Sequence, residues 1–94
     1  MKKYEVMYIV KANLDEEAVN QVNADLAAAF AKDSKILETK DYGIKDLAYE
    51  IEHQNKGHYV WLNVEATSAD CDEFTRRANI NENVIRHIVV VDER

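Results

Sequence analysis

The chain has 94 residues, of which 47% are hydrophobic and 32% are charged. This composition is typical of one ordinary globular domain and leaves no room for a second, so we expect a single domain over residues 1–94. The net charge of −6 argues against a protein that wraps nucleic acid by itself, because neutralising phosphates requires an excess of basic residues. The single Cys71 excludes an internal disulfide and is expected to be a packing residue in a cytoplasmic protein. No apolar run approaches membrane-spanning length, and residues 1–11 do not resemble a signal peptide.

The first half of the sequence predicts a strand followed by a helix. Residues 3–10 are rich in β-branched and aromatic types and form a run short enough for a strand. From Asp15 onward, acidic residues fill a first helical turn, where the helix dipole favours them, and apolar residues recur at three- and four-residue steps. The apolar positions are Val19, Val22, Leu26, Ala29 and Phe30. The pattern predicts an amphipathic helix of roughly four to five turns.

The middle of the sequence predicts a hairpin of two strands. Residues 36–51 form a long apolar-alternating segment that is expected to be irregular near Gly43. Gly57 is expected to end a polar connection, after which residues 59–64 form the third strand.

The last third predicts a short helix and a final strand. Ser68 is the expected N-cap of the helix, whose buried face would carry Cys71, Phe74 and Ala78. Residues 84–91 then form the last strand. The order βαββαβ predicts an α+β, ferredoxin-like sandwich, in which two helices cover one face of a four-stranded antiparallel sheet.

Alternation along the strands predicts that the uncovered face of this sheet is apolar. The residues expected to face the helices are Tyr4, Val6, Tyr8, Val10, Val60, Leu62, Val64, Ile85, Val89 and Val91. Those expected on the opposite face are Met7, Ile9, Tyr59, Trp61, Ile88 and Val90, beside Arg86. An exposed apolar patch with Trp, Tyr and Arg usually marks an interface. The alternatives are that loops or the carboxyl end cover this face, or that the register is shifted by one residue.

The sequence offers no recognisable catalytic or cofactor-binding motif. His53, His58, His87 and Cys71 lack metal-ligand spacing, so no metal site is expected, and His87 is expected to be a partly buried strand residue. Neither glycine belongs to a phosphate-binding loop, and no serine occupies a nucleophile elbow. We therefore expect a binding protein without catalytic residues or cofactors.

The run Gly-Ile-Lys-Asp-Leu-Ala-Tyr-Glu-Ile at residues 43–51 resembles the signature of the bacterial small-subunit ribosomal protein S6 family. The similarity extends over nearly the whole chain, through residues 4–5, 13–15, 59–65 and 83–86. The resemblance implies the βαββαβ fold and a non-enzymatic, ribosome-associated role. Members of the family bind 16S ribosomal RNA together with a partner, ribosomal protein S18.

The resemblance also implies two sets of contact residues. The partner is expected to contact the uncovered face at Met7, Ile9, Tyr59, Trp61 and Ile88, which the strand pattern singles out. The RNA is expected to contact Lys2, Lys3, Lys45 and Arg86, with Arg76 and Arg77 as secondary candidates. Many relatives carry a second base where this chain has Ile44 and a proline where it has Glu50, so its RNA affinity should depend more on the partner. Leu47, Tyr49 and Ile51 are expected to pack on the core.

Three other functions remain open at this stage. An acylphosphatase-like enzyme is disfavoured, because it would need a glycine-containing arginine loop near the first strand and the sequence has none there. A ligand-sensing regulatory domain would use the open sheet to form a homodimer. An autonomous RNA-recognition domain would stack bases on Tyr59 and Trp61, although no RNP1-like aromatic-glycine run is present.

Overall fold

The computed structural model describes residues 2–31, 33–51 and 54–92. Its elements are β1 (Lys2–Lys11), α1 (Glu16–Ala28), β2 (Lys35–Ile51), β3 (Gln54–Ala66), α2 (Ser68–Ile80) and β4 (Val84–Val91). The four strands form one sheet in the order β2-β3-β1-β4, with every neighbouring pair antiparallel. The predicted ferredoxin-like βαββαβ fold is confirmed.

The core lies between the two helices and one face of the sheet. Val6, Val10 and Val64 are fully buried there, so the predicted inward alternation of β1 and β3 is confirmed. The Phe74 ring of α2 stacks on Phe30 with the ring centroids 5.6 Å apart. This side of the sheet is therefore closed by well-packed aromatic and aliphatic side chains.

Helix α1 begins where its sequence pattern predicts and ends earlier. Asp15 is the N-cap, since its Oδ1 accepts a hydrogen bond from the backbone N–H of Ala18 at 2.8 Å. The helix has 13 residues and ends at Ala28. Ala29 and Phe30 are buried as expected, but they lie in the turn after the helix. The apolar period therefore continues beyond the helix that it predicts.

Helix α2 begins with a different cap from the predicted one. Thr67 Oγ1 accepts from the backbone N–H of Asp70 at 3.2 Å, so Thr67 is the N-cap and Ser68 is the first helical residue. A hydroxyl at either position could have capped the helix, and the sequence could not separate them. With 13 residues the helix is not short, and its predicted buried face of Cys71, Phe74 and Ala78 is confirmed.

The β2–β3 hairpin corrects the prediction for Gly57. This glycine lies inside β3 and is buried, and the side chains of Ile9 and Leu47 occupy the space around the position that a Cβ would take. Leu47 thus packs over Gly57 and not in the helix-covered core, whereas the side chains of Tyr49 and Ile51 lie outside the described residues. The irregularity predicted near Gly43 is confirmed by a register shift and a φ of 74°.

A register shift in β4 also corrects one predicted inward position. Ile9 pairs with Arg86 while Val10 pairs with Val84, so two residues of β1 oppose three of β4. Val84 is buried in the core as a result, and the prediction that Ile85 faces the core is wrong. Beyond the shift, His87 faces the core side as a half-buried strand residue, with its Nε2 2.9 Å from Asn79 Oδ1.

Candidate interaction site on the open sheet face

The sheet face opposite the helices carries a continuous row of side chains across all four strands. Lys40 of β2 pairs with Trp61 of β3, Trp61 pairs with Met7 of β1, and Met7 pairs with Ile88 of β4. Directly opposed residues of antiparallel strands point to the same face, so these four side chains are neighbours. Period-two alternation and the register together create the row.

An apolar hollow follows this row. It has a volume of about 260 Å³ and is lined by Glu5, Val6, Met7, Trp61, Ile88 and Val90. Ile88 and Val90 are 49% and 46% exposed, while Met7 and Trp61 are half-buried. We call Met7, Trp61, Ile88 and Val90 the open-face patch. Each apolar Å² that a partner removes from water there contributes about 25 cal/mol.

The two other predicted partner contacts lie in the next row along the strands. Ile9 pairs with Tyr59 on one side and with Arg86 on the other. Ile9 is only 8% exposed, although it does not belong to the core cluster. The structure thus brings all five predicted residues to one face, but Ile9 supports its neighbours and offers little surface of its own. That a partner contacts these residues stays a prediction.

Lys40 is a member of the site that the sequence did not single out. Its Nζ lies 5.3 Å from the centroid of the Trp61 ring and 3.7 Å from Glu38 Oε1. A cation over an exposed aromatic face stabilises the pair by about 0.5–1 kcal/mol. The register shift beside Gly43 sets which β2 residue opposes Trp61, and alternation alone does not give that register.

Two of the predicted RNA contacts lie near one end of the open face. Lys45 pairs with Gly57, and Gly57 pairs in turn with Lys11. Arg86 lies on the same face beside Ile9, two residues before Lys11 along β1. Lys45 and Arg86 are exposed, and the half-buried Lys11 is a third base, outside the predicted set. Arg86 lies in the row next to the open-face patch, and Lys11 and Lys45 lie in the row beyond it.

Lys2 and Lys3 lie at the opposite end of the sheet. Lys3 pairs with Glu65, which also pairs with Lys35. The distance from Lys3 to Lys11 along β1 is roughly 26 Å, at the usual rise per strand residue. The predicted RNA contacts on the sheet therefore form two separate basic clusters.

Arg76 and Arg77 lie on α2, in the helical layer, and both are paired with acids. Arg76 donates two hydrogen bonds of 2.8 Å to the Glu73 carboxylate, and Arg77 Nε donates to the same group at 2.7 Å. Arg77 also binds Asp25 Oδ1 at 3.1 Å. The hydrogen bonds from Arg76 and then Arg77 lower the pKa of Glu73 to about 2. The structure separates these two arginines from the open face.

His58 and Cys71 lie on the helical side of the sheet, away from the open-face patch. Within 2–31, 33–51 and 54–92, no three His, Cys, Asp or Glu side chains form a metal-ligating group. His58 Nε2 lies 2.7 Å from Asp41 Oδ1, and His53 lies outside the described residues. Burial, followed by the nearby Asp72 and Asp70, raises the pKa of the Cys71 thiol and disfavours its thiolate.

No helix within the described ranges has both the length and the apolar character needed to cross a bilayer.

Both the sequence and the fold of this chain match those of known proteins. The family model described as Ribosomal protein S6 matches residues 3–91. The small ribosomal subunit protein bS6 of Phytoplasma australiense is 45% identical over 91 residues, covering 96% of this chain and 98% of that protein. The bS6 protein of Aster yellows witches'-broom phytoplasma is also 45% identical, over 99% of both chains. The crystal structure of 30S ribosomal protein S6 from Thermotoga maritima superposes with a TM-score of 0.91 at 22% identity, covering 97% of this chain and 87% of that one.

Proposed function

The chain belongs to the ribosomal protein S6 family, and we propose that it binds 16S ribosomal RNA together with ribosomal protein S18, supporting small-subunit assembly and translation. It is a ribosomal protein of the small subunit, from a family of structural proteins and not of enzymes. The proposed location is the ribosome in the bacterial cytoplasm.

The open-face patch is the observation that carries this proposal. It is an apolar surface at the centre of the sheet, stiffened by backbone pairing on both sides of β1 and β3. Trp61 and its neighbours have the character of interface anchors, which are most often large aromatic residues in rigid, partly desolvated positions. S18 docks here in the proposed complex.

The basic rim supports a shared RNA surface next to the docked partner. Arg86 lies in the row next to the patch, and Lys11 and Lys45 lie in the row beyond it, so phosphates bound there would also approach S18. The chain carries a charge of −6, and three bases neutralise only a few phosphates. In the proposed complex S18 therefore supplies most of the positive charge, while this chain supplies rigid docking and a few oriented bases.

Calorimetric titration of S18 into the isolated protein tests the docking face. Trp61→Ala should weaken the complex by about 1–3 kcal/mol, because it removes the largest side chain of the patch. Ile80→Ala is the matched control, since Ile80 is a large hydrophobic residue that is 69% exposed on α2. Equal affinities for wild type and Trp61→Ala would contradict docking on this face.

The RNA contacts are tested with a 16S central-domain fragment and S18 present. Replacing both Lys45 and Arg86 with alanine should weaken RNA binding and lower the slope of log affinity against log salt by about 2. Arg76→Ala is the control on the helical layer, where Glu73 already pairs with the guanidinium. A salt slope unaffected by the double substitution would exclude these two bases as phosphate contacts.

A further inference from the structure

A second apolar hollow lies on the helical side of the sheet, between the start of α1 and the edge strand β2. It has a volume of about 350 Å³ and is lined by Leu14, Glu16, Val19, Asn20, Asp41, Ile44 and His58. Leu14, Val19 and Ile44 form its apolar floor, and Ile44 is 56% exposed. We call this hollow the acidic-rimmed groove.

The groove exists because β2 is the edge of the sheet. Within the part of the chain that the structure describes, the strand order is β2-β3-β1-β4, so β2 pairs with β3 on one edge and its other edge is not paired in the sheet. The strand is also exposed on the helical side, as Ile36 at 38% and Ile44 at 56% show. An apolar floor beside an open strand edge suits an extended polypeptide segment.

The charge around the groove selects the kind of segment. Glu16 is exposed at the rim, and the Asp41 side chain is 52% exposed, with its Oδ1 2.7 Å from His58 Nε2. Among the described residues, no lysine or arginine lines the hollow. Asp15 and Glu17 add two further exposed acids at the start of α1. This potential repels phosphate, and it also disfavours a second copy of a chain whose own net charge is −6.

We propose that the acidic-rimmed groove docks a basic, extended segment of another protein. An aliphatic side chain of the segment lies on Ile44 between Leu14 and Val19, and flanking lysines or arginines approach Glu16 and Asp41. The groove and the open-face patch lie on opposite faces of the sheet, so one molecule can hold both partners at once. Docking in the groove therefore does not depend on which partner binds the open-face patch.

The test is an amide-shift titration of the whole chain with a synthetic peptide that alternates arginine with leucine and serine. Saturable shifts should appear around Leu14 and Ile44. Ile44→Ser should weaken binding about tenfold, as expected for an anchor contact. Ile88→Ser is the matched control, because Ile88 is 49% exposed on the opposite sheet face, and its affinity should equal that of wild type. The same peptide with glutamate in place of arginine should not bind.

Several results would overturn the proposal. The absence of saturable binding by wild type would do so, as would equal weakening by Ile44→Ser and Ile88→Ser. Unchanged affinity in Ile44→Ser would show that the peptide is held only by general attraction to acidic residues and not by an anchor in the groove. Light scattering that showed self-association abolished by Ile44→Ser would assign the groove to a second copy, and oligonucleotide binding lost in the same variant would assign it to nucleic acid.

Discussion

Strand β3 presents apolar side chains to both faces of the sheet, and the two sides differ in how completely they are covered. Val60 and Leu62 are 2% and 3% exposed under the helices, whereas Tyr59 and Trp61 on the other side are half-buried. Helices α1 and α2 cover the first side. On the second side, Tyr59 and Trp61 are covered only in part, by side chains of the neighbouring strands. The same alternation thus supplies residues that stabilise the fold and residues that remain available for association.

Truncation in the covered core should have the largest effect. Phe74 is fully buried, and its ring centroid lies 5.6 Å from that of Phe30 and 6.1 Å from that of Tyr8. Phe74→Ala should lower the free energy of unfolding by about 3–5 kcal/mol, because it leaves a cavity between the helix and the sheet. Urea unfolding measures this loss, and a change below about 1 kcal/mol would contradict the core described above.

A methyl group at Gly57 tests the supporting row beneath the open face. Its Cβ would collide with Cγ2 of Ile9, a branched methyl that cannot swing away freely. Gly57→Ala should destabilise the protein by about 1–3 kcal/mol through overpacking, as seen in denaturant midpoints. Gly43→Ala is the comparison without overpacking, since a Cβ there meets no atom and only the φ of 74° is unfavourable. Gly43→Asn should therefore lose less stability than Gly43→Ala, because asparagine tolerates that φ.

Trp61→Ala distinguishes folding from docking in a single variant. Trp61 is half-buried and contacts Lys40, so its truncation should lower the free energy of unfolding by only about 1 kcal/mol. The loss of S18 affinity should equal or exceed this value. A stability loss as large as that of Phe74→Ala would show that the open face contributes to the fold as the core does.

The smallest effect is expected on the helical surface, at Glu73. Its pKa is lowered to about 2 in the folded chain, chiefly by the hydrogen bond from Arg76 and then by that from Arg77, against an ordinary value of 4.5. A lowered folded-state pKa stabilises the fold above the unfolded pKa, and this contribution disappears as pH falls through the folded value. Stability should therefore decrease from pH 4.5 toward 2, and Glu73→Gln should reduce that dependence slightly, since the pair is exposed to solvent. An acid-unfolding curve identical in both proteins would contradict the pairing.

The sequence predicts the architecture well because most strands keep a regular period of two. The inward residues of β1 and β3 and the buried face of α2 follow directly from periodicity. The errors arise where register shifts. The bulge opposite Ile9 and Val10 places Val84 in the core, where Ile85 was predicted. Gly57 lies within a strand and does not end a connection, and neighbouring side chains occupy the space that a side chain at this position would fill.

For the candidate site, too, alternation within each strand predicts one part, and pairing between strands determines the other. Met7, Trp61 and Ile88 are placed on one face by alternation within their own strands. Their arrangement in one row with Lys40 depends on pairing between strands that are distant in sequence. The separation of Lys3 from Lys45, and the pairing of Arg76 with Glu73, likewise depend on tertiary structure and are not encoded in a local motif.

Trp61 is the only tryptophan of the chain, and it lies on the open face with Lys40 above its ring. Its emission therefore reports on the solvent at this surface more than on the packing of the core. A shift to shorter wavelength on adding S18 would be a direct optical signal of docking, without any added label. Unfolding followed by the same signal should be checked against circular dichroism, because the indole is already partly hydrated in the native protein.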